Sequence, residues 1–180
     1  DDLTGDHRFS RLNPAAGVTY ALPRDVTAYG SFSISSRVPT PSELCCADPE
    51  DPCRLPNAFV SDPPLEEVVG RTWEGGLRGR TPRLTWSASV FRTRNRDDII
   101  FISSGALTNE GHFANVGDTR RQGLELTADG PVGTRVRWRA AYTWLDAEFK
   151  TPLTLSSPNH PDEVDGEIDV PAGASLPSTP

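Results

Sequence analysis

The sequence predicts an all-β fold: a piece of antiparallel transmembrane β-barrel wall, with about three hairpins, six strands and long extracellular loops. Three observations carry this. Six runs of residues alternate apolar and polar side chains with period two, the mark of a strand with two unlike faces. The runs pair into three hairpins whose arms agree on which face is apolar, as a shared register requires. The connections then alternate in length: 23–25, 80–83 and 129–133 are short, whereas 37–67, 104–112 and 150–180 are long. Short turns at one end and long loops at the other are the pattern of outer-membrane barrels.

Residues 1–10 show no pattern. Strand 11–22 puts Leu12, Ala16, Val18, Tyr20 and Leu22 on one face, with Pro14 near its start, where a missing N–H costs least. Its return, 26–36, puts Val26, Ala28, Gly30, Phe32 and Ile34 on the matching face if Leu22 meets Val26. Residues 37–67 then form a proline-rich loop, ordinary outside a barrel and unusual inside a compact domain. Strand 68–79 alternates Trp73, Gly75, Leu77 and Gly79 with Thr72, Glu74, Gly76 and Arg78. Strand 84–103 answers it with Leu84, Trp86, Ala88 and Val90, so that Leu77 meets Trp86 and Trp73 meets Val90.

A spanning strand needs only about 9–11 residues. The rest of strand 84–103 therefore stands above the membrane, with Arg92, Arg94 and Arg96 continuing the outward face at headgroup level or solvated as a simple extension. The last hairpin joins 113–128 to 134–149. With Asp129–Gly133 as its connection, Leu126 meets Val136, Leu124 meets Trp138, and Glu125 meets Arg137 on the other face.

Composition agrees with a wall. Hydrophobic residues make up 36% of the 180 residues and mean hydropathy is −0.46, values a barrel tolerates because half of each strand faces a polar interior. No apolar run is long enough for a transmembrane helix. The net charge of −7 resides in the loops. Residues 37–67 carry seven acidic and two basic side chains, and residues 150–180 carry five and one, which leaves the remainder slightly positive. No basic face suited to nucleic acid survives.

Cys46 and Cys53 close a loop pre-bent by two prolines, and a disulfide there fits an oxidising compartment, with Cys45 as an alternative partner to Cys46. A metal site would need a fourth ligand and a different spacing. His7, His112 and His160 lie far apart. Asp97 and Asp98 point to opposite faces of a strand. Asp162, Asp165, Glu167 and Asp169 do not follow the calcium-loop spacing. No nucleophile motif, phosphate loop or cofactor fingerprint is present, so neither an enzyme nor a cofactor is expected.

Several stretches resemble the C-terminal barrel region of TonB-dependent outer-membrane receptors. They are Leu12-Asn13-Pro14-Ala15-Ala16-Gly17-Val18-Thr19-Tyr20, Tyr29-Gly30-Ser31-Phe32-Ser33, and Arg37-Val38-Pro39-Thr40-Pro41-Ser42-Glu43-Leu44. Glu74-Gly75-Gly76-Leu77-Arg78-Gly79, Asn95-Arg96-Asp97-Asp98-Ile99-Ile100, Phe113-Ala114-Asn115-Val116-Gly117 and Arg121-Gln122-Gly123-Leu124-Glu125-Leu126 follow in order. The resemblance covers about residues 9–149. It implies about six staves of a 22-strand barrel whose plug, TonB box and remaining strands lie elsewhere. Such receptors import scarce bulky nutrients, for example ferric siderophores, with energy from the TonB complex acting through the plug. Six strands cannot close such a barrel, so the segment alone is not expected to transport.

The expected site residues follow from the faces. Glu74, Arg78, Glu125, Arg135, Arg137 and Arg139 are expected to face the lumen, as ion pairs beside the plug or as a cationic path for an anionic substrate. Leu77, Trp86, Leu124, Leu126, Val136, Trp138 and Tyr142 are expected to face outer-membrane lipid. Arg54, Asn57 and Phe59 are candidate ligand contacts from the long outer loop. A soluble β-sandwich binding module and a passive barrel, porin or adhesin, are the competing readings.

Overall fold

A computed structural model describes residues 7–48, 53–54, 65–103, 110–157 and 161–177. One antiparallel sheet dominates it. Its strands are β1 (Ala15–Leu22), β2 (Val26–Arg37), β4 (Val68–Thr81), β5 (Leu84–Arg96), β8 (Thr119–Val132) and β9 (Val136–Phe149). They stand side by side in chain order, β1-β2-β4-β5-β8-β9, and the sheet is open because β1 does not meet β9. A helical turn α1 (Pro41–Leu44), β3 (Cys53–Arg54), β6 (Ile99–Ser103), β7 (Glu110–Asn115), β10 (Leu153–Ser156) and β11 (Glu167–Val170) occupy the long connections.

All three hairpins form, and their faces follow from parity. Leu22 pairs with Val26, and the turn is closed by Arg24 and Asp25 in the left-handed region, at φ 65° and 56°. In the second hairpin Thr81 pairs with Leu84, so the connection is Pro82-Arg83 and the register moves by two residues. The Thr81 hydroxyl fixes this tighter turn by accepting hydrogen bonds from the backbone N–H of Arg83 (3.3 Å) and Leu84 (3.0 Å). Leu77 therefore meets Ala88 rather than Trp86, and Trp73 meets Arg92 rather than Val90.

The third hairpin is corrected further. Its connection is Gly133-Thr134-Arg135, not Asp129–Gly133, and Val132 pairs with Val136. Leu126 meets Tyr142, Leu124 meets Trp144 and Glu125 meets Thr143. Gly and Pro near 130 look like a turn, but Gly133 supplies the left-handed residue (φ 67°), while Pro131 sits close to the strand end, where a lost donor costs little. Both register shifts are even. A period-two pattern fixes parity firmly and absolute register weakly, so every residue keeps its face.

Strand 84–103 is broken, and its partner breaks opposite it. Asp97 turns left-handed (φ 54°) and Gly117 does the same (φ 80°). Asn95 pairs with Thr119 below the break and Ile99 with Asn115 above it, so one ribbon keeps one register through a kink. Two backbone bonds lock the kink, Asp98 N–H to the Gly117 carbonyl at 2.9 Å and Val116 N–H to the Asp98 carbonyl at 2.8 Å. Above it, β6 and β7 form a separate sheet that β3 joins at the β7 edge, in the order β3-β7-β6.

The strand starts also shift: the first begins at Ala15 rather than 11, and the partner of strand 84–103 divides into 110–115 and 119–132. The long connections are thus structured. Loop 37–67 contributes α1 and β3, and loop 150–180 contributes the β10–β11 hairpin.

Apolar packing concentrates at this outer end. Ala47, Leu65, Val68 and Ile99 are buried together with Leu44 and Phe113 against them. Val116, Ala147, Phe149 and Leu176 form a second cluster. Residues 173–176 lie along the upper edge of β9, with Phe149 N–H to the Ala174 carbonyl at 2.9 Å and Leu176 N–H to the Ala147 carbonyl at 3.0 Å.

Candidate functional site

The sheet carries two chemically opposite faces, and the register defines both. On one lie Val18, Tyr20 and Leu22 of β1, Phe32 of β2, Trp73 and Leu77 of β4, and Trp86 and Val90 of β5. Leu124, Leu126 and Val132 of β8 and Val136, Trp138, Tyr142 and Trp144 of β9 complete it. Most of these large apolar side chains are bare, with Tyr142 57% exposed, Val90 57% and Leu77 42%, while Phe32, Trp86 and Leu124 are half-buried. A soluble sandwich would bury such a face beneath a second sheet.

The opposite face is polar, and its groups find one another. Tyr29 donates to Glu74 at 2.9 Å, and the Arg78 guanidinium lies 5.9 Å from the Tyr29 ring centre. Ser87 and Thr127 share a hydrogen bond of 2.6 Å, and Thr72 and Thr93 one of 2.9 Å. Arg137 donates to Asp129 at 2.6 Å, and Arg139 is opposite Asp129 in register. The expected Glu125–Arg137 pair does not form, because Glu125 is opposite Thr143 and Ser89. Arg135 lies in the turn outside the strands and is exposed.

Parity also places residues that strand-by-strand reading passed over. Arg80, Arg121 and Arg37 share the polar face. At its outer end Ser35, Arg37, Gly70, Asn95, Asp98 and Arg121 line a recess of ≈ 420 Å³.

Asp98 is the hub of this end. It is 6% exposed and accepts from the fully buried Thr119 hydroxyl (2.6 Å), from Arg121 (3.0 Å) and from Asn95 (3.3 Å). Burial pushes its carboxyl up, but the hydrogen bonds from Thr119 and Arg121 and the Arg121 charge outweigh this and hold it below the ordinary carboxylate value. No sequence signal marked this role, because Asp97-Asp98 reads as two ordinary strand residues until the kink turns Asp98 into the wall.

Cys46 and Cys53 form a disulfide, with Cα atoms 5.5 Å apart and Cys45 left as a free thiol. The bond ties β3 to the segment that follows α1 and so holds it along the edge of β7, where Cys53 pairs with Gly111 and Arg54 with Glu110. Closing a short loop is worth about 2–3 kcal/mol on a chain-entropy account. Reduction should therefore accelerate proteolytic cleavage within 38–67 in the complete protein and leave the wall strands intact. An unchanged cleavage rate would contradict this anchoring role. Arg54 lies on β3, whereas Asn57 and Phe59 fall outside the described residues.

Among the described residues no group of three or more His, Cys, Asp and Glu side chains is arranged to hold a metal ion. His112, on β7, is held below the ordinary histidine value by burial, against a smaller opposing pull from Asp48. It is the neutral form that this lobe accommodates.

An open antiparallel sheet with one bare apolar face, one hydrogen-bonded polar face and structured loops at one end defines a class, the wall of an outer-membrane β-barrel. The family model for the TonB dependent receptor-like β-barrel matches residues 1–180, and the chain belongs to that family of the outer membrane. Among solved structures it is similar to one titled copper transporter OprC, with a TM-score of 0.59 and 22% identity. That match covers 79% of this chain and 23% of the other, so the chain spans under a quarter of that protein's length. At this identity the likeness concerns the fold.

Proposed function

We propose that this chain is part of the wall of an active outer-membrane importer. The apolar face meets lipid through Leu77, Trp86, Leu124, Leu126, Val136, Trp138 and Tyr142. The polar face lines the lumen through Glu74, Arg78, Glu125, Arg137 and Arg139, with Arg135 at the periplasmic turn. Energy comes from the TonB complex acting through a plug outside this chain. The cargo is a scarce, bulky nutrient such as a ferric siderophore, and the wall itself does no chemistry on it.

One observation carries the proposal: the polar face is rich in arginine. Arg37, Arg78, Arg80, Arg121, Arg137 and Arg139 stand against Glu74, Asp98, Glu125 and Asp129, and Arg37 is further paired with Glu43 at 2.7 Å, so the arginines remain in slight excess. Such a lining favours an anionic cargo through the summed field of the arginines. A bare copper ion finds less here. The sequence has no methionine, and two of its three cysteines are joined to each other. Arg54, with Asn57 and Phe59, is proposed to meet the cargo from the outer loop.

The test is uptake of a labelled anionic ferric chelate by cells carrying the complete gene. Transport should stop without TonB and should fall several-fold when Arg78, Arg121 and Arg139 are all changed to Gln. Transport that persists without TonB would mean a passive barrel.

A further inference from the structure

The short-turn end of the sheet is basic, although the chain as a whole carries −7. Residues 22–26, 79–85 and 129–139 hold six arginines and two aspartates. Three of these arginines belong to the polar face. Arg80, Asp129 and Arg139 share one rung through Thr85, and Arg137 donates to Asp129 at 2.6 Å. The other three, Arg24, Arg83 and Arg135, occupy one turn each. All three are exposed, and none is ion-paired among the described residues.

Their depth follows from the apolar face. On β9 that face runs from Val136 to Trp144, both well exposed, and this is the length of a single membrane crossing, about 9–11 residues. The turn begins where the crossing ends, so Arg135 stands at the headgroups. Leu22 and Val26 close the first turn around Arg24, and Leu84 follows Arg83 directly. Each turn arginine is therefore within two residues, about 7 Å, of a paired lipid-facing side chain.

Trp86 and Trp138 face lipid just above, opposite Ala128 and Gly130 on neighbouring rungs, where an interfacial aromatic belt belongs. The second turn is held against them. A Cβ on Gly130 would lie 2.2 Å from the Arg83 carbonyl oxygen and 3.5 Å from the Trp138 indole nitrogen, so glycine admits the Arg83 backbone beside the indole.

Turn geometry does not call for arginine. Arg24 lies in the left-handed region (φ 65°), where Gly, Asn and Asp fit at lower cost. Arginine supplies instead a permanent charge and a planar fork that binds phosphate through paired, charge-assisted hydrogen bonds. Adjacent hairpins are two strand spacings apart, about 10 Å, so the turns present a row of guanidinium groups along the rim. The short-turn end is the periplasmic end of such barrels. A row of cations at the headgroup depth of that leaflet is complementary to lipids of net negative charge. Zwitterionic lipids bring their own cation to the phosphate and gain less.

We propose that Arg24, Arg83 and Arg135 form a docking rim for anionic phospholipid of the periplasmic leaflet, each guanidinium holding a lipid phosphate. The rim rests on the assignment of the apolar face to lipid, and it is independent of the cargo.

The experiment uses the complete protein in its own outer membrane, with a photo-crosslinking benzoylphenylalanine at position 22, 136 or, separately, 144. Captured lipid is identified by mass spectrometry. Positions 22 and 136 should capture phospholipid, with phosphatidylglycerol enriched over phosphatidylethanolamine about fivefold relative to the membrane as a whole. Position 144, at the other end of the crossing, should capture outer-leaflet glycolipid. Arg24→Gln/Arg83→Gln/Arg135→Gln should abolish the enrichment. The triple Lys variant should keep most of it and serves as the folded control.

Enrichment that is unchanged in the Gln variant would overturn the rim. So would its loss in the Lys variant, which would show that charge does not hold the lipid. Capture of no lipid at any of the three positions would overturn the face assignment and the importer wall with it. Capture of phospholipid at 22 and 136 without anionic enrichment would refute the rim alone and leave the importer reading standing.

Discussion

Leu126→Arg is expected to destabilise the membrane-inserted protein by about 2–4 kcal/mol, whereas Thr143→Arg should cost little. The two positions are on neighbouring strands, close together and on opposite faces. Leu126 sits in the middle of the apolar band, between Ala88 on β5 and Tyr142 on β9. A guanidinium there would have hydrocarbon around it and no acid in reach. Thr143 faces the polar side directly opposite Glu125, so a new arginine would gain a partner. Equilibrium refolding of the complete protein into phosphatidylcholine vesicles, with heat-modifiable mobility as a second readout, measures both. Equal destabilisation by the two variants would contradict the face assignment. A larger cost for Thr143→Arg would invert it.

Asp98→Ala is expected to release the outer ribbon without dissolving the wall. The change removes the acceptor for the buried Thr119 hydroxyl, for Arg121 and for Asn95. Hydrogen bonds to a charged acceptor are each worth about 1.5–3 kcal/mol, so local opening of residues 99–115 should become favoured by roughly 3 kcal/mol, on the order of a hundredfold. Hydrogen exchange followed by mass spectrometry should show faster exchange across β6 and β7 and little change in β4 and β5. Asp98→Asn keeps the shape and should show a smaller effect. Uniformly faster exchange through the sheet would mean that Asp98 supports the whole wall and not the kink.

The pH dependence has a fixed sign. Asp98 titrates below the ordinary carboxylate value, so the folded state favours its charged form. Its contribution is complete above about pH 4 and is lost as pH falls through the lower folded value. His112 acts in a different window. Burial favours its neutral form, so its lobe should lose stability as pH drops below about 6.5, where the unfolded chain takes up the proton first.

How much was legible in the sequence varied with the physics behind each feature. The two faces were legible because alternation is enforced over six strands and survives errors in register. Alternation sets Leu126 opposite Val136, whereas it pairs with Tyr142, six residues away, and its face is the same. The turn at 133–135 is masked in the sequence by Gly130-Pro131, which offers turn chemistry that the strand pairing overrides. The kink at Asp97 and Gly117 was not legible: each is a single left-handed residue, and only their juxtaposition across the ribbon makes a bend.

The polar site was half legible for a similar reason. Glu74, Arg78, Glu125, Arg137 and Arg139 came from alternation within clear strands. Arg80 and Arg121 would have come from carrying the same parity past the apolar band. Asp98 needed the fold itself.

The most direct test of the two-faced wall is a run of single cysteines at positions 140 to 144 in the complete protein, in native outer membranes, in a Cys45→Ser background. Each is exposed to a membrane-impermeant maleimide and, separately, to a lipid-phase quencher after fluorescent labelling. The wall predicts that positions 141 and 143 react with the aqueous reagent and that 140, 142 and 144 are quenched from lipid. Uniform aqueous reactivity along the strand, or the opposite alternation, would contradict it.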